Sequence, residues 1–600
     1  MAVCLLLAFV VVAGPLAFGA TEVWAYCSAQ ALVCLATWVW MLSGARARFF
    51  WLPSAVFALG MLQVVSVPEA VCNNLTPWFA KAQASTQELT GRAGTSCISV
   101  NRAQTLAALR RCLTLALIVF IVANIAEDEF VRRILLKSLA FVGTVVLLLG
   151  MIIGPGRDGK ALGFHDLRGF WKSYKNPLLT GFHSQGTGNA DEVNVDGIHY
   201  VANSPVCGKS VGALINENHF AASVGLTLPI TISLVLGFPA HRGWETWRVR
   251  SLAGAYLVAG LYGVAILAQS RGGLAVLCFS GVIVSGMAFW QTRKRAVVVL
   301  ECLTFATLLV AGIVFRAYFL RSLAGRIDAW QAACEMFWKS PWLGIGLGNY
   351  GNAYLAFRPG ELVYYLAHNA WIEYAAETGV VGLALLIGAI AWSGRTMVCA
   401  WSGRTSSSRR IVRLGLIGSL LFAAMYGVVD HGIQVPGNAC LCAVIVGVLL
   451  ADIESARAPG QLLVVTRQSG FKTRLTRFLI SSLTVFLLHG AWAEYEADSL
   501  VVPLRRAIAR QRVPGSPLLQ TDKLDELRNA LPDGERAFEI KPRNAEIAAD
   551  IAKAHLHLSQ GRQGPELEIA ADWFGRSLQL SPLNPWIRRT LAEMRARMAR

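Results

Sequence analysis

The sequence is short of charge. Of its 600 residues only 15% are Asp, Glu, Lys or Arg, where a soluble chain carries roughly 25%. With 54% hydrophobic residues, that shortage excludes disordered and collagenous chains and the ordinary cytosolic enzyme. Acidic residues are scarcer than basic ones, 37 against 55. The surplus does not indicate nucleic acid, because the basic residues stand in short clusters between apolar runs, as in membrane proteins. No CxxC and no Cys/His spacing typical of zinc occurs. Most of the 13 cysteines lie in apolar stretches, where they act as small packing residues. Cys72 and Cys97 share a hydrophilic loop and would pair only in an oxidising compartment. Residues 1–20 lack a basic start and run into a second apolar stretch, so they read as a spanning helix rather than a signal peptide.

Long apolar runs are abundant. A spanning helix needs about 20 mostly apolar residues. The sequence offers thirteen such segments, at 2–20, 23–43, 50–67, 107–126, 135–154, 215–237, 251–269, 272–290, 296–315, 371–393, 411–429, 437–453 and 474–493. The expectation is an all-α polytopic membrane protein. With the N-terminus in the cytoplasm, 21 Lys and Arg fall in cytoplasmic connections and four in the short outer ones, the asymmetry of the positive-inside rule. Helix parity then puts outside the long loop 155–214, the segment 316–370 and the tail 494–600. Six regions follow: spans within 1–154, the loop 155–214, spans within 215–315, the outer segment 316–370, spans within 371–493, and a soluble helical tail over 494–600. In that tail KPRNAEI at 541 recurs as SPLNPWI at 581, with amphipathic stretches between.

Polar groups at the edge of a bilayer are costly and need a reason. Asn216-Glu217-Asn218-His219-Phe220 opens the helix after the long loop, where orphan N–H groups favour anions or a simple cap. Gln269-Ser270-Arg271-Gly272-Gly273 joins two apolar runs; Arg271 suits phosphate oxygens, or snorkels to the interface. Arg326 and Trp330 precede Pro341-Trp342-Leu343-Gly344-Ile345-Gly346-Leu347-Gly348-Asn349-Tyr350. That run lacks the preceding strand and following acid of a dinucleotide loop. It reads as a tight turn, under a substrate or purely structural. His368, in Ala367-His368-Asn369, sits where the outer segment enters a helix. An imidazole there can exchange a proton near neutral pH, or serve as a structural hydrogen-bonding group. Glu377, one turn past Glu373, should be paired. Asp430-His431 with Pro436, Asn438 and Ala439 forms the next outer turn. His165, Asp166, His183 and His199 match no common metal spacing and read as solvated loop residues.

Taken in order, these motifs resemble the bacterial superfamily of O-antigen ligases, O-antigen polymerases and protein O-oligosaccharyltransferases, over roughly residues 1–453. LTPWFAKA at 75–82 resembles that family's first outer loop. The resemblance implies a GT-C-like, inverting glycosyltransferase in the bacterial inner membrane, with its long loops and tail periplasmic. The donor would be an undecaprenyl-diphosphate-linked glycan. The acceptor would be a hydroxyl of lipid A core, of another glycan or of a protein. No cofactor, no metal and no nucleic acid are implied. His368 matches the family's general base, and Arg271 and Arg326 match the arginines that hold the diphosphate. Asn218, His219, Ser270, Asn369, Glu377 and Asp430 would support them. The tail resembles a tetratricopeptide repeat, able to dock a protein, or an unrelated helical hairpin acting as a cap. Of other classes, a transporter would need inverted repeats, which are not visible, and a membrane scaffold would tolerate loss of His368 and Arg271.

Overall fold

The computed structural model describes residues 1–43, 51–92, 97–156, 160–161, 165–166, 192–195, 198–201, 210–214, 216–237, 243–292, 316–357, 364–401, 406–457, 471–511, 520–560 and 562–599. The chain is an all-α polytopic membrane protein. Among the described residues nine helices are long and apolar enough to cross a bilayer, or ten if one bent pair counts as a span. Twelve of the thirteen expected segments fall on helices, and 296–315 lies outside the described residues.

The N-terminal part comprises α1 (Ala2–Leu16), α2 (Val23–Leu42), α3 (Trp51–Val64), α4 (Glu69–Leu75), α5 (Pro77–Thr90), α6 (Arg102–Ile125) and α7 (Glu129–Ile153). The segment expected at 50–67 is not a straight span. The chain bends by 106° between α3 and α4, because Pro68 keeps the residue before it out of helix. Asn101 caps α6 by accepting from the amides of Ala103 (3.1 Å) and Gln104 (3.3 Å), and Asp128 caps α7 in the same way. Cys72 and Cys97 are buried and not joined to each other, and the Cys97 thiol donates to the Ser99 carbonyl at 3.3 Å.

The long loop contains more order than its sequence suggested. Three short antiparallel ladders occur within 155–211: β1 (Pro155–Gly156) with β6 (Ser210–Val211), β2 (Lys160–Ala161) with β3 (His165–Asp166), and β4 (Glu192–Val195) with β5 (Ile198–Val201). His183 lies outside the described residues.

The middle of the chain supplies α8 (Glu217–Leu236), α9 (Gly243–Tyr262), α10 (Arg271–Thr292), α11 (Arg316–Lys339), α12 (Tyr350–Phe357), α13 (Ala370–Trp401), α14 (Ser407–Val429) and α15 (Pro436–Arg457). Helix α11 carries Arg326 and Trp330 and ends at Lys339, just before Pro341. Small residues let these helices approach closely, as expected where lipid gives no hydrophobic drive between helices. A Cβ on Gly225 would lie 2.0 Å from the Phe422 ring. The core holds Val33, Leu117, Phe120, Val142, Phe220, Phe422 and Leu441, all fully buried. Phe9, Phe141, Val258, Ile390 and Val485 stay exposed, as side chains facing lipid do.

The final part is α16 (Phe471–Arg510), α17 (Gln520–Ile540), α18 (Ala545–Leu558), α19 (Pro565–Leu580) and α20 (Pro585–Met598). Helix α16 does not end near 493. Its 40 residues extend about 60 Å, about twice the hydrocarbon thickness. Its C-terminal turns leave the bundle and pack Val501, Leu504 and Ile508 against Leu527, Ile547 and Ile551. The recurrent heptapeptides hold two helix caps: Asn544 opens α18 and Asn584 opens α20. The tail is tied to the 68–103 segment. Arg588 donates to Ser85 (2.6 Å) and Thr86 (2.8 Å), Arg92 pairs with Asp572, and Gln104 donates to Glu546 (3.3 Å). Tail and 68–103 segment therefore share one end of the bundle. Segment 341–350 shares it too, because Thr105, in the first turn of α6, donates to the carbonyl of Leu347 (3.0 Å).

Candidate active site

The polar residues singled out in the sequence meet at that end. Asp430 is the centre. It caps the C-terminus of α14 in extended geometry and is 3% exposed. Its Oδ2 accepts from Asn218 Nδ2 at 3.1 Å and faces Arg326 Nη2 at 3.6 Å and His368 Nδ1 at 3.7 Å. Its Oδ1 accepts from the His431 amide at 2.8 Å, with His431 Nδ1 at 3.3 Å. Burial pushes the Asp430 carboxyl up, but the charges of His431, His368 and Arg326 outweigh it. They hold the group well below the usual carboxylate range.

Each partner is itself fixed. Arg326, on α11, donates through Nη1 to the Val429 carbonyl at 2.6 Å, which aims its other nitrogen past Asp430. Asn218, in the first turn of α8, accepts from Ser270 Oγ at 2.8 Å, and its backbone carbonyl accepts from Tyr426 at 2.9 Å. Asn216 supplies the α8 cap, so the Asn-Glu-Asn-His motif carries both a cap and a site residue. Ser270 also accepts the Gly273 amide at 3.3 Å at the start of α10. It follows a π-helical turn, Gly263–Leu267, and Gln269 at φ +53°. Such strained, irregular backbone favours functional positions. Arg271 is the next residue. Gly272, beside it, packs on Val429, the residue whose carbonyl holds Arg326. The backbone beside Arg271 thus approaches the same residue that holds Arg326.

His368 sits in a short loop with φ +50°, a strain of about 1 kcal/mol or more for a residue with a side chain. Two groups pin the preceding residue: Glu373 Oε2 accepts the Ala367 amide at 2.8 Å, and Trp330 Nε1 donates to the Ala367 carbonyl at 2.9 Å. The imidazole is 20% exposed and packs edge-on against His431, whose ring in turn meets His219. The Tyr364 ring lies 6.4 Å away. Burial, reinforced by Asp328, pushes that phenol up to about 12, so it stays a neutral donor.

Two expected supporting residues stand apart from this cluster. Asn369 accepts from the amides of Trp371 (3.1 Å) and Ile372 (3.2 Å) and is the cap of α13. Glu377 accepts the Tyr350 amide at 2.9 Å and those of Gly348 and Asn349, so it holds the start of α12. The glycine-rich run has a structural task. Gly379 (φ +63°) breaks α13, and the 341–346 segment repairs the ladder. Val380 and Val381 donate to the carbonyls of Pro341 (2.7 Å) and Trp342 (3.2 Å), while Ile345 and Gly346 donate to those of Ala376 and Glu377 (both 3.1 Å). A Cβ on Gly344 would lie 2.3 Å from Glu377 backbone, so no other residue fits there.

His431, Glu373 and Trp330 were not among the chosen site residues, although each lay within a quoted motif. His368, Asp430 and His431 offer donor atoms within 4.8 Å of one another, close enough to hold a cation. Arg326 places a positive charge against the same carboxylate, which opposes that occupancy.

Residues 255–387 match the family model described as O-antigen ligase. The matched segment carries Arg271, Arg326 and His368, and ends before Asp430. No curated protein matches the chain.

Proposed function

From the match of residues 255–387 to the family model described as O-antigen ligase, we propose that this multi-pass membrane protein transfers glycans by the following reaction. The donor is a glycan on undecaprenyl diphosphate, presented at the periplasmic face of the bacterial inner membrane. An acceptor hydroxyl attacks the anomeric carbon of the first sugar. The bond from that carbon to the diphosphate oxygen breaks, with inversion. The hydroxyl proton passes to His368 Nε2, because Nδ1 is directed at Asp430. Asp430 stabilises the imidazolium that forms. The departing diphosphate gains charge, which Arg326 and Arg271 meet with fixed guanidinium groups. No protein nucleophile is needed, and with positive charge already aimed at the site the reaction is metal-independent.

The observation that carries this reading is the convergence of His368 and Arg326 on Asp430 at 3.7 and 3.6 Å, from positions 62 and 104 residues before it in the chain. The acceptor is a sugar of a lipid-anchored core, with polymer extension or protein glycosylation as the runner-up. The test is a deletion strain complemented with variants. Wild type clears the lipid-linked glycan, and His368→Ala, Arg271→Ala and Arg326→Ala accumulate it at equal expression. Clearance by all three rejects the assignment. The species left unmodified in the deletion strain identifies the acceptor. Chelator-treated membranes keep transfer activity, and loss restored by a divalent ion rejects metal independence. A reporter fused after Arg600 is active only outside the cytoplasm if the face is as proposed.

A further inference from the structure

The tail does more than cover the bundle: a half-open groove of about 180 Å³ lies between them. Its inner wall is Gln104 at the start of α6, Asn352 on α12 and Tyr365. Its outer wall is Glu546 and Lys553 on α18 and Trp586 on α20. We propose that this groove binds sugar units of the glycan that lie beyond the one reacting at His368, so that the tail is a grip on the saccharide. The choice of ligand rests on the transferase reading above.

The wall chemistry selects a saccharide. Two aromatic residues, Tyr365 and Trp586, line the groove from opposite sides, and such side chains suit the C–H surface of a pyranose. Between them stand the amides of Gln104 and Asn352 and the Glu546 carboxylate, which suit hydroxyls that both donate and accept. The Lys553 ammonium is already engaged by Asp550 and a carboxylate, Glu546, stands in the wall, which disfavours phosphate or a nucleotide. Lys553 is 2% exposed, held 3.3 Å from Asp550, and its ammonium stands 5.6 Å from the Trp586 ring centre. Gln104 and Glu546 are already bridged at 3.3 Å, so the walls are joined and preformed. Glycines bring the inner wall close: a Cβ on Gly351 would lie 3.0 Å from the Tyr365 carbonyl.

Position points the same way. Tyr365 precedes His368 by three residues, so their Cα atoms are at most about 11 Å apart. Tyr364, the residue before Tyr365, packs on the His368 ring. The groove and the candidate active site are thus the two sides of one short segment. A glycan leaving the membrane at the arginines passes the histidine before it reaches the tail. A groove made jointly by bundle and tail also gives the tail a role that the family match, which stops at 387, does not include.

The experiment uses the full-length protein in detergent and, as probe, oligosaccharides released by mild acid from the host's own lipid-linked glycans. Saturation-transfer NMR reads binding. Wild type and His368→Ala should bind equally. Trp586→Ala should weaken binding about tenfold, as loss of a central aromatic anchor does. Gln104→Ala, outside the tail core, should weaken it about threefold, so that the result does not depend on the tail tolerating a lost indole. Binding by both variants as tight as wild type, or no binding by any form, overturns the proposal. Binding that depends on Trp586 in a protein without transfer activity keeps the groove and removes the transferase reading. Transfer by wild type that ignores both groove variants at low oligosaccharide concentration removes the groove alone.

Discussion

Two aspartates stand at opposite ends of the helix pair α14 and α15, and they are held differently. Asp452, on α15, is closed off: Arg409 Nε lies 2.5 Å from one oxygen and Arg413 Nε 2.7 Å from the other, and Arg413 is 1% exposed. Asp430, after α14, has one side-chain amide at hydrogen-bond distance from Oδ2, with guanidinium and imidazole groups held back at 3.6 and 3.7 Å. Both carboxylates are buried. The first arrangement has satisfied its cations and can only hold helices together. The second keeps Arg326 and a partly exposed imidazole within reach of something else. Loose, multiply shared charge marks the site, and tight bidentate charge marks the scaffold.

Mutation should separate the two. Asp430→Asn should lower the transfer rate by about 10³-fold or more, since the imidazolium loses its counter-charge, with little change in expression; a rate assay on purified protein decides it. Asp452→Asn should do the reverse. It strands a buried guanidinium at a cost of about 3–5 kcal/mol, read as a lower melting temperature in detergent, while activity per folded molecule survives. Equal effects of the two substitutions on rate would erase the distinction. The pH dependence sharpens it. Because the Asp430 pKa is depressed on folding, its stabilising contribution is complete above the unfolded value, about 3.9, and is lost as pH falls below that. The stability gap between wild type and Asp430→Asn should therefore shrink in acid, as the carboxylate takes up its proton.

A smaller effect tests how the histidine is held. Glu373→Leu orphans the buried Ala367 amide, at a cost of about 1–3 kcal/mol, and should reduce turnover by about tenfold without changing donor binding. Asn369→Ala removes only a helix cap, worth about 1 kcal/mol. It should lower the melting temperature slightly, and a collapse of activity at full stability would move Asn369 from the scaffold to the site.

Much of the bundle was legible because apolar runs of about 20 residues have few other uses. The helix-breaking Pro68 was visible, but whether the chain after it re-enters or leaves the bundle depends on packing, and the 50–67 span hid a bend. The end of α16 was illegible for a related reason: its pattern shifts gradually from apolar to amphipathic, with no cap or proline to mark the membrane surface. At the site, residue types at a membrane edge made His368, Arg271, Arg326 and Asp430 stand out. What sequence alone does not give is direction. Glu377 and Asn369 are as polar and as close to His368 in the chain as any candidate, yet both point at backbone amides. In the sequence His431 reads as part of a turn, although its ring packs edge-on against His368. The glycine run looked like a ligand loop because its other task, mending a helix broken at Gly379, depends on a partner 35 residues away.

The central claim is that His368 takes the acceptor proton while the arginines receive the leaving diphosphate. The most direct measurement is release of undecaprenyl diphosphate in liposomes holding the full-length protein, a lipid-linked glycan and an acceptor. Wild type should release one lipid diphosphate for each new glycosidic bond, and His368→Ala should fall by about 10³-fold while still binding donor. Release by His368→Ala at the wild-type rate would contradict the account.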